Sequence, residues 1–230
     1  MMIDETCAAP GGQGNLLVQA YAWACEQIYH DAAWAYDAIS WGVSGGAWGD
    51  WRALALETAT GRILELGFGT GELIAAALGQ CRPVVGLERS PQMQAIALGK
   101  LRRARLPAPL VQGSALALPF AAGSFDTVVA TFPAGYIVEP TTLAECERVL
   151  AEGGRLVIAG VWIVPVLGRR SINLPLLYRA PEASEAAGFI ARIEAAGFAA
   201  GIHWRHSRWA EVAVISAERQ PVPAVREHRS

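Results

Sequence analysis

An α/β fold, with a mostly parallel sheet covered by helices on both faces, is predicted by three observations. From Gly61 onward, apolar segments alternate with helix-patterned ones. The strand candidates are nearly continuous apolar runs, as strands buried on both faces require. The first of them, RILELGF, runs into a glycine-rich turn that opens a helix.

The elements follow in order. LVQAYAWACEQIYHDAAWAYDAISWGVSGGAWGDWRALALETAT, Leu17 to Thr60, combines alanines with spaced large residues and reads as helices broken at Gly42 to Gly46, an N-terminal helical layer. Five of the eight tryptophans, Trp23, Trp34, Trp41, Trp48 and Trp51, fall here, more aromatic surface than short isolated helices can bury. They are expected to pack on the main domain or line a pocket over it. After RILELGF come the helix ELIAAALGQ, the strand PVVGLE, and the helix PQMQAIALGKLRRARL with Ser90 and Pro91 as cap and first-turn residue. PLVQG and FDTVVATF read as strands, PTTLAECERVL as a helix, and GGRLVIAGVWI as a strand behind a Gly153-Gly154 turn. ASEAAGFIARIEAAGF is a helix and WAEVAVISAE a strand, with AAGIHWRHS supplying part of a neighbouring one. Val164 to Pro181, with three prolines, reads as an insertion covering the sheet edge.

A chain of 230 residues suits one domain. With 53% apolar and 17% charged residues and a net charge of −2, nothing calls for an anionic polymer, so no nucleic-acid partner is expected. MMIDETCAAP carries acids where a signal peptide needs a basic region, and no run of about 18 apolar residues follows. A cytoplasmic protein without a transmembrane segment, monomeric or homodimeric, is expected. Cys7, Cys25, Cys81 and Cys146 are scattered without CxxC pairing, which argues for reduced thiols used as small apolar fillers and against a zinc site.

The stretch ILELGFGTGELI decides between ligands. A dinucleotide fingerprint, GxGxxG, counted from Gly67 needs a third glycine at 72, where Glu72 stands; the glycines lie at 67, 69 and 71. No lysine completes a phosphate loop. Glu72 would repel a pyrophosphate, Glu65 at the strand end suits a cationic group, and Glu88, ending VVGLE, can accept ribose hydroxyls. The ligand expected is adenosine-like, with a positive group in place of the pyrophosphate.

In these residues the chain resembles the class I S-adenosylmethionine-dependent methyltransferases. ILELGFGTG matches their first motif, GLERSPQM the second strand and turn, VQGSALALPF the third, SFDTVVATF the fourth, and ERVLAEGGRLVI the helix and fifth strand. The resemblance implies a Rossmann-like class I methyltransferase fold with a mostly parallel seven-stranded sheet, and S-adenosyl-L-methionine as cofactor. It implies Glu65 near the methionine amino group, Gly67, Phe68, Gly69 and Gly71 around the ligand, and Glu88 with Arg89 at the ribose. Ser114 and Ala115 would lie near the adenine, and Thr131 at the end of strand four. The family usually has Asp where Ser114 stands; serine keeps a hydrogen bond without the charge, and a plain turn residue is the alternative. IYHDAAWAYDAISWGVSGGAWGDWR further resembles the start of the menaquinone and ubiquinone biosynthesis C-methyltransferases, in Ala33, Tyr36-Asp37, Ser44-Gly45 and Trp51-Arg52, which places Tyr29 and Tyr36 over the cofactor. TFPAGYIVEP departs from the phenylalanine-glycine-leucine-arginine-asparagine run of those enzymes, so a quinone acceptor does not follow. The implied division is a flexible N-terminus at 1–14, a methyltransferase domain at 15–217 and a flexible tail at 218–230. Within the domain, 15–60 form a helical cap, 61–161 the cofactor-binding core, and 162–217 the insertion and last part of the sheet.

Methyl transfer from a sulfonium is an in-line displacement, so the protein mainly aligns the groups and excludes water. Phe132, Pro133 and Tyr136 follow strand four, where the methyl should point. Tyr136 could orient a substrate hydroxyl or stack on a ring, or be a loop aromatic. His30 and Asp37 are candidate bases, though each also has a structural reading. His203 and His206, near Arg205 and Arg208, form too weak a set for a metal and fit a polar strand face. Arg169 and Arg170 could meet an acidic substrate or be a solvated pair. The expected function is methyl transfer to a small, apolar or aromatic molecule; the alternative is a catalytically inactive S-adenosylmethionine-binding or assembly protein of the same fold. A nicotinamide dehydrogenase is disfavoured by Glu72, and a nucleic-acid methyltransferase by the lack of a basic stripe and by TFPA at its catalytic position.

Overall fold

The computed structural model describes residues 41, 42, 44–167, 170, 171 and 179–221, with only the backbone of Leu167, Arg170 and Ser171. Tyr29, His30, Tyr36, Asp37, Trp23, Trp34, Cys7, Cys25 and Arg169 lie outside the described residues.

The elements are α1 (Trp48–Thr58), β1 (Ile63–Leu66), α2 (Glu72–Gly79), β2 (Val84–Glu88), α3 (Pro91–Arg103), β3 (Leu110–Gln112), β4 (Phe125–Thr131), a 3₁₀ turn (Gly135–Val138), α4 (Pro140–Val149), β5 (Leu150–Leu167), β6 (Arg170–Ser171), α5 (Ala183–Ala195), β7 (Phe198–Ser207) and β8 (Ala210–Arg219). The sheet runs β3-β2-β1-β4-β5-β8-β7, the expected seven strands, and the two-residue β6 pairs off this path with β5. β3, β2, β1, β4 and β5 are mutually parallel, while β8 is antiparallel to both β5 and β7.

Side chains alternate across the sheet, as the two-residue period of a strand demands. Ile63, Val84, Val129, Val157 and Val214 face a core shared with α1, α2 and α3. Leu64, Leu66, Leu87, Val128, Ala130 and Ile158 face the opposite core, with α4 and α5. Both faces of the central strands are therefore apolar, which is why the strands read as continuous runs. Ser90 caps α3 by accepting from Met93 N at 3.3 Å, with Pro91 at the first helical position, as the sequence suggests.

The structure differs from the sequence reading in four places. Gly153 and Gly154 do not precede a strand: β5 already pairs at Leu150 with Phe125, and the glycines sit in a register shift before Arg155 meets Thr127. Gly153 takes φ 71°, and an added Cβ at Gly154 would stand 2.8 Å from Ala151 O, so a side chain there would press on the strand's own backbone. Val164 to Leu167, placed in the insertion, continue β5, with Ile163, Val164 and Pro165 paired to Val212, Glu211 and Ala210. AAGIHWRHS belongs to a full ten-residue strand, β7. Glu218 and Arg219, assigned to the tail, pair with Ala199 and Phe198.

α1 lies over the sheet and is pinned by tryptophan. Trp51 is fully buried, edge-on to Trp209 at 5.2 Å, and its indole N–H donates to Ser207 O at 3.4 Å. Trp209 in turn donates to Ser44 O at 3.1 Å. The helical layer is thus joined to the far hairpin β7–β8, while Trp41, expected to be covered, is 68% exposed. Replacing Trp51 by Ala is expected to lower unfolding free energy by about 3–5 kcal/mol through lost transfer and cavity terms. Trp51→Phe should cost clearly less; urea unfolding of both variants provides the check.

Candidate functional site

The carboxyl edge of β1, β2 and β4 carries the residues singled out by the glycine loop. Glu65, the next-to-last residue of β1, lies between Gly86 of β2 and Val129 of β4. Being two residues from Ile63, it projects to the face that α1 covers. Gly67, Gly69 and Gly71 adopt φ 68°, 54° and 79°, left-handed values that cost little only without a Cβ. The chain therefore turns through the GFGTG loop and enters α2, with Gly71 as its N-cap.

Glu88 ties this loop down. It is 5% exposed at the end of β2, and its two oxygens accept from Gly69 N at 3.0 Å and Ser90 N at 2.8 Å. Each carboxylate oxygen keeps a free lone pair, so the residue can hold the loop and still accept a hydroxyl. Ser90, read from sequence only as a helix cap, also orients Glu88.

Glu65 is placed differently. It is 1% exposed, and its Oε2 is buried with no hydrogen-bond partner among the described residues. Burial, opposed by the field of Arg52 and reinforced by Glu88, pushes its pKa up to about 8. Native proteins rarely leave a buried carboxylate oxygen unpaired, and such an atom marks a place where a donor belongs. A ligand ammonium placed there would supply a hydrogen bond and the counter-charge together.

Tyr136, in the turn after β4, reaches back to the loop. Its hydroxyl lies 3.5 Å from Leu66 O, and 2.7 Å from where a Cβ on Gly67 would stand. Burial and then the negative field of Glu88 raise its pKa above the ordinary phenol value, so it stays protonated. Tyr136 is a donor at neutral pH and cannot be a resting phenolate base.

Phe132, just beyond β4, takes φ 49° and its ring covers Gly160, where an added Cβ would stand 2.3 Å from Phe132 Cδ1. A left-handed non-glycine residue is strained and persists only where its surroundings hold it. Trp48 of α1 stacks on the ring at 4.0 Å. This contact, with the main domain as expected of the tryptophans, places α1 against the carboxyl edge.

The remaining sequence candidates divide. Phe68 is buried in the core, lying where a Cβ on Gly86 would stand 2.6 Å from its ring, so its side chain serves packing. A Cβ on Gly71 would meet Ala97 of α3 at 2.8 Å, so Gly71 lets α2 and α3 close together. Glu72, expected to repel a pyrophosphate, is exposed and paired with Lys100 of α3. Arg89 is exposed. Ser114 accepts from Leu116 N at 3.2 Å within its own turn, next to the half-buried Ala115. Thr131 is half-buried at the end of β4. His206 pairs with Glu211 across the β7–β8 hairpin at 3.1 Å. Among the described residues no three His, Cys, Asp or Glu side chains gather as metal ligands, and no helix is long and apolar enough to cross a membrane.

A cavity of about 370 Å³ opens on the other side of the Gly135–Val138 turn. Pro133, Ile137, Trp162 and Phe189 line it, with Trp162 edge-on to Phe189 at 5.2 Å. Arg179 at its margin grips Glu185 through two hydrogen bonds of 2.7 and 2.8 Å.

Residues 64–158 match the profile of a family described as a methyltransferase domain. The demethylmenaquinone methyltransferase of Thermus thermophilus is 40% identical over 139 residues, 57% of this chain and 63% of that protein. The 2-phytyl-1,4-naphtoquinone methyltransferase of Synechocystis is 32% identical over 154 residues, 63% of this chain and 65% of that protein. The chain thus spans just under two thirds of the length of these curated relatives. A structure from Thermotoga maritima, titled a SAM-dependent methyltransferase and possible histamine N-methyltransferase, superposes with a TM-score of 0.55 at 20% identity, over 81% of this chain and 96% of that one. The fold is the α/β Rossmann-like class I methyltransferase fold, and part of the chain is similar in sequence to menaquinone-type methyltransferases.

The raised pKa of Glu65 has a sign that can be tested. A carboxyl that titrates near 8 when folded and near 4.5 when unfolded holds its proton in the native state across that window, so stability falls as pH rises through it. The slope from this group approaches ~1.4 kcal/mol per pH unit in mid-window. Glu65→Gln should match the wild type near pH 4.5 and be the more stable protein at pH 8, in urea unfolding at both values.

Proposed function

We propose that this chain binds S-adenosyl-L-methionine over the GFGTG loop and transfers its methyl group to a small apolar or aromatic acceptor. The observation that carries the reading is the buried, unpartnered Oε2 of Glu65 at the end of the central strand. A neutral donor could pair that atom without balancing an ionised carboxylate; the ammonium of the methionine moiety would supply both the hydrogen bond and the counter-charge.

The residues divide the work. Glu65 takes the ammonium, Gly67 and Gly69 let the ligand approach the backbone, and Glu88 accepts the ribose hydroxyls with its free lone pairs. Ser114 and Ala115 border the adenine. When bound, the cofactor supplies an electrophilic methyl on a cationic sulfur. Around it the chain has to align the acceptor and keep water out, a task for which apolar walls serve well. Phe132 under Trp48, and the aromatic cavity at Trp162 and Phe189, supply such walls. The Tyr136 phenol, held protonated beside Gly67 and donating to Leu66 O, accepts from an acceptor hydroxyl and so positions it.

Both curated relatives are named for naphthoquinone-type acceptors, which makes reduced 1,4-naphthoquinones the first acceptors to try. Departure of TFPAGY from the run in those enzymes argues for including simple phenols and planar nitrogen heterocycles. His30 and Asp37 remain the candidate bases for an acceptor that must lose a proton.

Two outcomes are expected. Calorimetric titration should show S-adenosylhomocysteine binding to the wild type, weakened about 10- to 100-fold by Glu65→Gln, the range for a lost charge-assisted hydrogen bond; absence of binding to folded wild type contradicts the reading. With a turned-over acceptor identified by mass gain of one methylene, Trp162→Ala should raise the acceptor KM and leave S-adenosylhomocysteine affinity unchanged. Cofactor binding without any product across the whole acceptor panel would instead favour a binding or assembly role.

A further inference from the structure

The cavity beside the Gly135–Val138 turn is apolar inside and charged at one place. Ile137, Ile163 and Trp162 line it and are buried, and Phe189 of α5 meets Trp162 edge-on at 5.2 Å. Among the described residues that line it, Arg179 and Glu185 are the only charged side chains. Their ion pair stands at the margin, with side chains 46% and 39% exposed. A pair so exposed contributes little to stability, so holding the fold together does not account for it.

The hydrogen bonds of Arg179 are one-sided. Nη1 donates to Ala180 O at 3.3 Å and to Glu185 Oε2 at 2.7 Å, and Nη2 donates to Glu185 Oε1 at 2.8 Å. Nε–H and the outer Nη2–H, along the adjoining edge of the planar group, have no acceptor among the described residues. Glu185 is in the opposite state, since each of its oxygens already accepts from the guanidinium. An incoming cation has to compete with Arg179 for Glu185, whereas an incoming carboxylate meets a donor fork of matching spacing. The aromatic walls favour a flat ring behind that carboxylate. A volume of about 370 Å³ is at the small end for ligand pockets and suits roughly one or two fused rings.

We propose that this cavity binds an aromatic carboxylic acid, its ring against Trp162 and Phe189 and its carboxylate on the Nε–Nη2 edge of Arg179. This names an acceptor class for the function proposed above, and its place in methyl transfer rests on that reading; the binding itself does not. Glu185 and the exposed Glu182 at the N-cap position of α5 limit the affinity, because both repel the incoming acid. The ring therefore has to contribute most of the binding, and the guanidinium selects among rings that fit.

Two probes with the same ring separate charge from shape. Calorimetric titration of the intact chain with 2-naphthoate and with 2-naphthol, which is neutral at pH 7, should show both bound. Arg179→Met should weaken 2-naphthoate about tenfold and leave 2-naphthol within about twofold, which also reports a folded variant. Glu185→Gln should act in the opposite direction, strengthening 2-naphthoate about two- to fivefold by removing a repulsive charge. Equal effects on both probes, no effect on either, or a wild type that binds neither would overturn the inference. Titration of the same protein with S-adenosylhomocysteine keeps the two readings apart. Cofactor binding without 2-naphthoate binding sinks this inference alone. Binding of 2-naphthoate with these responses, but no cofactor binding, sinks the function proposed above and leaves the aromatic-acid site standing.

Discussion

A carboxylate buried at the end of the central strand constrains everything around it. Glu65 sits in β1, flanked by parallel partners on both sides, at a position where the strand period turns its side chain toward the α1 face. An ionised carboxylate there carries a desolvation cost that an unpaired oxygen cannot offset. Its proton is consequently held to about pH 8. Neighbours that would stabilise it internally are withheld: Glu88 adds repulsion, and Arg52 attracts from beyond ion-pair reach. The site is arranged to gain most when a cation enters, which is the physical content of ligand selectivity here.

The glycine loop and the helical cap serve that arrangement from opposite sides. Glu88 fixes Gly69 and Ser90, so the loop is positioned before any ligand arrives. On the other side α1 is held by the Trp51–Trp209 contact, and the same first turn stacks Trp48 on Phe132. Strain at Phe132 fits the same picture. Its left-handed backbone aims the ring across Gly160 and under Trp48, joining the cap to the strand end where an acceptor would meet the methyl.

Much of this was legible in the sequence because it depends on local chemistry. Continuous apolar strands, the Ser90-Pro91 cap and the glycine spacing each have a short-range cause, and the sheet core and loop follow from them. What the sequence hid depends on partners distant in the chain. Glu72, at the position of the missing third glycine, was expected to repel a pyrophosphate, and its carboxylate pairs with Lys100 on α3, a partner 28 residues away. Gly71 and Phe68, read as ligand contacts, also pack against Ala97 and Gly86, partners that the spacing does not reveal. Gly153-Gly154 looked like a turn because a register shift within a strand has the same composition as one.

The most direct measurement of the central claim is the proton balance of ligand binding. Titrations of wild-type protein with S-adenosylhomocysteine at pH 7, in buffers of different ionisation enthalpy, count the protons exchanged. If Glu65 is protonated in the free protein and ionises against the ligand ammonium, binding releases about one proton, and Glu65→Gln abolishes the release. Binding by wild type with no proton released at pH 7 would contradict the account.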